Sequence, residues 1–294
     1  MTHVGIIGIG NMGLGMALRL LDLGYTVHVR DIDAAREALA RPHGAIVLGD
    51  AAAVAQVSAV LIVAVVDAAQ TREVLFGEHG AVESLSPGTA VLLCPTIAPR
   101  SVEEFASALG RQGVDCIDAP MSGGPVRARD GTMSLMVACA QPVFERWQGL
   151  LNALSSRLFR VGSTPGDGAR TKLVNNMLAA VNLAGAAEAL ALAQRLGLDP
   201  AATLEVIEQS SGQSWIGSDR LRRALAEAPA VQAHIALLAK DSALALDVAR
   251  EAGFAPRLGQ AAAACFAAAV AQGMAQDDDS ALWRWLADTA RTAD

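Results

Sequence analysis

The stretch VGIIGIGNMGLGMALRLLDLGYTVHVRD, residues 4–31, decides the fold. It opens on a continuous apolar β-type run and breaks into Gly8-Ile9-Gly10-Asn11-Met12-Gly13. It then continues as a helix-like segment that closes at Gly24, a C-cap residue. A second β-type run, TVHVRD, ends in Asp31, 23 residues after Gly8. A bare GxGxxG is a common turn. Between a strand and a helix it becomes a tight bend followed by close approach of backbone to a pyrophosphate at a helix N-terminus. The acid at the end of the next strand is placed to hydrogen-bond a ribose 2′-hydroxyl. Strand, turn, helix and acid in that order predict a dinucleotide site over a structural glycine turn with a surface aspartate. A carboxylate at position 31 repels a 2′-phosphate, and Ile32 and Asp33 follow it rather than an arginine. NAD is therefore expected in preference to NADP.

Working outward, the same rhythm continues. AVLIVAV, TAVLLCP, DCIDAP and SLMVAC are further short runs, mostly continuous rather than alternating, with helical patterns between them. Continuous apolar strands suit a parallel sheet covered on both faces, so a doubly wound α/β domain is predicted. GSTPGDG at 162–168 ends that rhythm. Beyond it only helical periodicity remains, broken at GLDP, SSGQS, AEAPA and EAGFAP. The expected organisation is a Rossmann-like domain over 1–163 followed by an all-helical domain over 164–294.

Composition narrows the classes. Of 294 residues, 52% are apolar and 18% charged, which provides a sizeable core. The apolar bias raises the question of a membrane, but no charge-free apolar run reaches the ~20 residues of a spanning helix. QAAAACFAAAVAQGMA is too short and is expected to be a buried or interfacial helix. The N-terminus lacks the basic region of a signal peptide. A net charge of −7 without a basic block argues against nucleic acid. Cys94, Cys116, Cys139 and Cys265 are scattered without CxxC spacing, and the five histidines form no HxH or HxxxH pair. Neither a metal site nor a disulfide framework is expected, and a reducing cytoplasm is.

Two later stretches carry polar residues where burial is otherwise expected. Asp118-Ala119-Pro120-Met121-Ser122-Gly123-Gly124-Pro125 follows a strand. Its Ser-Gly-Gly presents a hydroxyl and unobstructed backbone N–H groups to an anion, or is an ordinary turn. In GDGARTKLVNNMLAAVNLAGAAEALALAQRLGL, 166–198, Lys172, Asn175 and Asn176 share one face of one turn. With Asn182 they fall within roughly a third of the helix circumference, beside Ala179 and Ala186. A cation, amides and small residues differ from the mixed charges of a solvated face and predict the wall of a polar cleft.

Together, GIGNMGLGMA, DAPMSGG, GDGARTKLVNN and KDSALALD resemble the β-hydroxyacid dehydrogenase family, in order and across essentially the whole chain. The resemblance implies a Rossmann-like domain followed by an all-helical one, and NAD-linked oxidation of a hydroxyl on a small carboxylate. It implies Lys172 as general acid/base and Asn176 as the substrate-orienting amide, with Ser122, Gly123 and Gly124 holding the carboxylate. For the cofactor it implies Gly8, Gly10, Asn11, Met12, Gly13 and Asp31, with Thr96 near the nicotinamide ribose and Lys240 beside the dinucleotide. Val65 and Val66 fall in a cofactor-touching loop, where Val66-Asp67 replaces the family's usual Leu-Pro. VDAAQTREVLFGEHG, SSGQSWIGSDRL and AQDDDSAL resemble the sugar-acid branch that handles L-threonate. That branch would place Gln213, Ser214 and Trp215 near substrate, although Trp215 reads equally as a core or subunit-interface anchor. 3-Hydroxyisobutyrate and tartronate semialdehyde are the alternative substrates, and an imine reductase or a dinucleotide sensor the alternative functions. A homodimer or homotetramer is implied.

Overall fold

The computed structural model describes residues 2–226 and 231–289; apart from Ala226, the AEAPA break lies outside them. The chain divides into two compact units, Met1–Lys172 and Leu173–Asp294.

The first unit alternates strand and helix. It runs β1 (His3–Ile7), α1 (Asn11–Asp22), β2 (Thr26–Arg30), α2 (Ala34–Ala40), β3 (Ile46–Val47), α3 (Ala51–Gln56), β4 (Val60–Val63) and α4 (Ala68–Phe76). It continues through β5 (Ala90–Leu93), α5 (Pro99–Arg111), β6 (Asp115–Asp118), β7 (Met121–Ser122), α6 (Gly124–Asp130), β8 (Met133–Ala138), α7 (Gln141–Leu154) and β9 (Ser155–Gly162). One sheet holds them in the order β3-β2-β1-β4-β5-β6-β8-β7, with β9 on β8. From β3 to β6 every pairing is parallel; β8 is antiparallel to both β6 and β7. The parallel part has the doubly wound order, which reverses between β1 and β4 and opens a crevice at the C-terminal ends of the strands.

Alternation along each strand feeds two cores. Val4 and Ile6 of β1, Val60 and Ile62 of β4, and Leu92 of β5 pack with Met16 and Leu20 of α1 and Leu151 of α7. Ile7, Leu61, Val63, Val91 and Leu93 point the other way, onto Val54 of α3 and Val102, Phe105 and Leu109 of α5. Burial on both faces explains why these strands read as unbroken apolar runs. β9, paired in parallel with β8, was not expected. SSRLFRVG is largely exposed and carries Arg157 and Arg160, the charged character of an edge strand.

The second unit is helical. α8 (Asp167–Arg195) begins in the first unit and is followed by α9 (Pro200–Glu208), α10 (Trp215–Leu225), α11 (Ile235–Glu251), α12 (Arg257–Ala271) and α13 (Leu282–Thr289). Its core joins Leu183, Ala187 and Leu190 of α8 to Ile216, Leu221, Ile235, Phe266, Leu282 and Trp283. α8 has the length and hydropathy of a membrane-crossing helix, but one face of it builds this core. α12 buries only a stripe, Gly259, Ala262, Phe266 and Ala269, and leaves its other alanines mostly exposed. The acids of AQDDDSAL have a structural task. Asp278 and Asp279 pair with Arg223 at 2.8 and 3.2 Å, and Asp278 also accepts the Gln232 and Ser280 N–H groups.

Candidate active site

The glycine loop leaves β1 at its C-terminal end. Gly8 has φ +87°, and a Cβ there would lie 2.8 Å from the Ala64 carbonyl oxygen. At Gly13 a Cβ would lie 1.9 Å from the Gly8 carbonyl oxygen, so both positions require glycine for internal reasons. Gly10 differs: nothing stands within 4 Å of where its Cβ would be. The protein itself does not demand glycine there, whereas a pyrophosphate approaching the backbone does. α2, α3 and α4 each begin with an aspartate whose carboxylate caps the first turn, Asp33, Asp50 and Asp67. α1 begins at Asn11-Met12-Gly13 with no side-chain cap and no acid in its first turn. That N-terminus is fitted to an anion, and the residues present fit a dinucleotide.

Asp31 stands beside this loop. Its Oδ2 accepts the Ile9 N–H at 2.7 Å and its Oδ1 the Asp33 N–H at 2.9 Å. Gly8 donates to the Arg30 carbonyl and Ala64 to that of Ile7, which fixes the ends of β2 and β4 around the bend. Val65 and Val66 follow β4. A Cβ on Gly8 would also touch the Val65 side chain, and the Val66 N–H is donated to Gln70 Oε1 at 3.1 Å. The departure from Leu-Pro at 66–67 has a local reason, since Asp67 accepts the Gln70 N–H and starts α4. Thr96 follows β5 at the same edge of the sheet.

The Ser-Gly-Gly segment joins the two-residue strand β7 to α6, so it is a strand-to-helix bend rather than a turn between two strands. Gly123 and Gly124 have φ +136° and +77°, conformations that side-chain-bearing residues rarely adopt. Gly15 of α1 braces the bend: a Cβ there would press to 3.0 Å on Ala128 and 3.1 Å on the Pro125 carbonyl oxygen.

α8 carries the polar turn, and its first turns belong to the sheet unit. Asp118, buried at the end of β6, accepts the N–H groups of Gly166 at 2.7 Å and Ala169 at 3.1 Å. Burial pushes its carboxyl up to about 6, against the backbone N–H groups of Ala169, Gly166 and Gly168. Five residues past the start of that anchored helix, Lys172 is 7% exposed; one turn later Asn176 is 8% exposed. Lysine is seldom buried so far. Of the apolar residues beside it, Leu173 is buried, whereas Val174 is 64% and Leu178 58% exposed. Lys172 and Asn176 are thus sheltered while part of the apolar flank is not. Asn175 is exposed.

In the helical unit, Asn176 Nδ2 donates to Asp241 Oδ2 at 2.6 Å, and Asn175 Nδ2 donates to Asn176 Oδ1 at 3.0 Å. Lys240 Nζ donates to the other Asp241 oxygen at 2.7 Å. A buried carboxylate thus links two residues named from the sequence. The sequence marks Asp241 only by its place next to Lys240 in KDSALALD, and Asp118 only as the opening of DAPMSGG. Ser214 caps α10 through the Gly217 N–H at 3.1 Å. Trp215 is half exposed with the Arg220 guanidinium 5.9 Å from its ring centre, so it is not a core residue.

A glycine loop suited to a dinucleotide, at the switch point of a doubly wound sheet, marks a protein of the dinucleotide-binding class. The comparisons agree. Residues 3–162 match the family model for the NAD-binding domain of 6-phosphogluconate dehydrogenase. Residues 166–286 match that for the NAD-binding domain of NADP-dependent 3-hydroxyisobutyrate dehydrogenase. L-Threonate dehydrogenase of Escherichia coli K12 is 36% identical over 95% of this chain and 93% of its own. 3-Hydroxyisobutyrate dehydrogenase of Pseudomonas aeruginosa is 36% identical over 73% of this chain and 72% of its own. The crystal structure of 3-hydroxyisobutyrate dehydrogenase from Salmonella typhimurium superposes with a TM-score of 0.91 at 33% identity, covering 97% of this chain and all of that one. The chain belongs to the β-hydroxyacid dehydrogenase family. It is an NAD(P)-dependent hydroxy-acid dehydrogenase acting on CH–OH groups.

Proposed function

We propose that the protein oxidises a small polyhydroxy acid, L-threonate foremost, with residues 1–163 serving the dinucleotide and 164–294 the substrate and self-association. The observation that carries the site assignment is the buried turn of α8, with Lys172 and Asn176 at 7% and 8% exposure. Gly8, Gly10, Asn11, Met12, Gly13 and Asp31 hold the dinucleotide, with Val65, Val66, Thr96 and Lys240 as further contacts. A nicotinamide ring held there supplies the hydride acceptor. Lys172 takes the proton of the substrate hydroxyl and returns it in the reverse direction. Asn176 orients that hydroxyl; its amide is already fixed by Asp241, so little freedom is lost on binding. The backbone N–H groups of Ser122, Gly123 and Gly124 receive the carboxylate. No metal is required by this scheme.

L-Threonate is favoured because the threonate relative matches over 95% of the chain and the 3-hydroxyisobutyrate relative over 73%, and because of the sugar-acid cues around Gln213, Ser214 and Trp215. The test is NADH formation with L-threonate, 3-hydroxyisobutyrate and other hydroxy acids, together with reduction of tartronate semialdehyde. L-Threonate is expected to give the highest kcat/KM. A higher value for 3-hydroxyisobutyrate or tartronate semialdehyde rejects threonate and keeps the site. Lys172→Ala is expected to bind NADH normally and lose roughly 10²- to 10⁴-fold in kcat; unchanged turnover removes Lys172 from the mechanism. We assign the protein to the cytoplasm, a reading supported by four free cysteines, and to a homodimer or homotetramer.

A further inference from the structure

β2 ends in Arg30-Asp31, and α2 turns one buried carboxylate back onto both residues. Glu37 is 7% exposed. Its Oε1 receives Arg30 Nη1 at 2.7 Å and the Asp31 N–H at 3.1 Å. Arg30 also donates to the Asp31 carbonyl. Burial pushes the Glu37 carboxyl up, but the Arg30 guanidinium and the Asp31 N–H outweigh it and hold the pKa below its usual value. Arg36, in the same helix, reaches Asn11 Oδ1 at 3.3 Å. Ile32, 97% exposed, occupies the turn itself.

We infer that Glu37 is a specificity-determining residue: by pairing with Arg30 it withholds the arginine that a ribose 2′-phosphate would recruit, and so favours NAD over NADP. This rests on the glycine loop being the dinucleotide site. A guanidinium binds phosphate well because its paired donors match the oxygens. The Arg30 guanidinium lies at the Asp31 backbone, donating to its carbonyl, so it is within reach of a group bound beside that residue. Turning it toward a phosphate would take from Glu37 its ion-pair partner and leave a buried carboxylate with only the Asp31 N–H and the field of Arg41, a costlier state. Glu37 acts a second way through the local field. Around the end of β2, the carboxylates of Asp31, Asp33 and Glu37 face the guanidinium groups of Arg30, Arg36 and Arg41, and the Glu37 charge offsets cations that would otherwise draw in a dianionic phosphate. The Asp31 side chain alone does not account for this arrangement, since both its oxygens also hold backbone N–H groups.

The test is fluorescence titration of the full-length protein with NADH and NADPH, without substrate. Glu37→Gln keeps an acceptor for the Asp31 N–H and removes only the charge. It is expected to tighten NADPH roughly tenfold, the scale of one added charge-assisted hydrogen bond, and to leave NADH within about twofold. Glu37→Gln with Arg30→Gln should return the NADPH-to-NADH ratio to near the wild-type value. Arg30→Gln alone leaves Glu37 without its ion pair and should weaken NADPH further. NADH binding with an unchanged ratio in Glu37→Gln overturns this inference alone, as does parallel weakening of both dinucleotides. A gain that survives loss of Arg30, or tighter NADPH binding in Arg30→Gln, also overturns it. A wild-type protein that binds neither dinucleotide overturns the glycine-loop reading and this inference with it.

Discussion

Gly10 and Gly13 are three residues apart in one motif but are glycines for different reasons, and two alanine substitutions separate them. Gly10→Ala meets no atom within 4 Å. It should fold with an unchanged melting temperature yet lose roughly tenfold or more in NADH affinity, because its methyl group fills the space the pyrophosphate takes. Gly13→Ala places a methyl 1.9 Å from the Gly8 carbonyl oxygen and should lower both affinity and melting temperature. Equal melting losses in the two variants would place the requirement at Gly10 inside the protein. At this scale the sequence is informative where a motif is local: the glycines and Asp31 stand out by spacing, periodicity marks the polar turn at Lys172, and the role of that lysine comes from the family resemblance. Asp241 was not, because its partner Asn176 is 65 positions away, and nothing local announces that contact. Glu37 was hidden for another reason, since a lone glutamate in a short helix ordinarily faces water.

Among the elements, the strands buried on both faces were legible because apolar continuity reports burial. β3 and β7, with two residues each, are too short to show any period. β9 is solvated enough to resemble a loop. The start of α8 depends on a distant residue as well: Asp118 accepts N–H groups 48 and 51 positions further on. Folding raises the pKa of that carboxyl from 3.8 to about 6. The native state therefore binds more protons than the unfolded chain between those values. The contribution of Asp118 to stability is complete below pH 4 and is lost as pH rises through 6. Across that window it amounts to on the order of 3 kcal/mol. Asp118→Asn, which cannot titrate, should lack this slope. Relative to the variant, the wild type should gain unfolding free energy between pH 7 and pH 4.5 in denaturant melts. A difference independent of pH would show that the carboxyl does not titrate in that range.

Among the described residues, the long helix carries an apolar surface that no core covers. On α8, Val174, Leu178 and Leu192 are more than half exposed and fall within about 40° of one another around the axis. Val174 to Leu192 spans about 27 Å. Exposed alanines line α12 in the same unit. An apolar stripe of this length is unusual on a monomer, and a second copy of the chain is the occupant we propose. Leu192→Glu is expected to shift the protein to a smaller species in light scattering; an unchanged mass in the variant would reject this face as the contact. The junction of the two units bears on any attempt to produce the dinucleotide half alone. A fragment cut where the glycine-rich connection ends the strand rhythm, at residue 163, would lack the amides of Gly166 and Ala169. Asp118 would be left without those donors, and the truncated product would be a poor reporter of the half it was made to represent. A serviceable fragment has to retain the opening turns of the long helix.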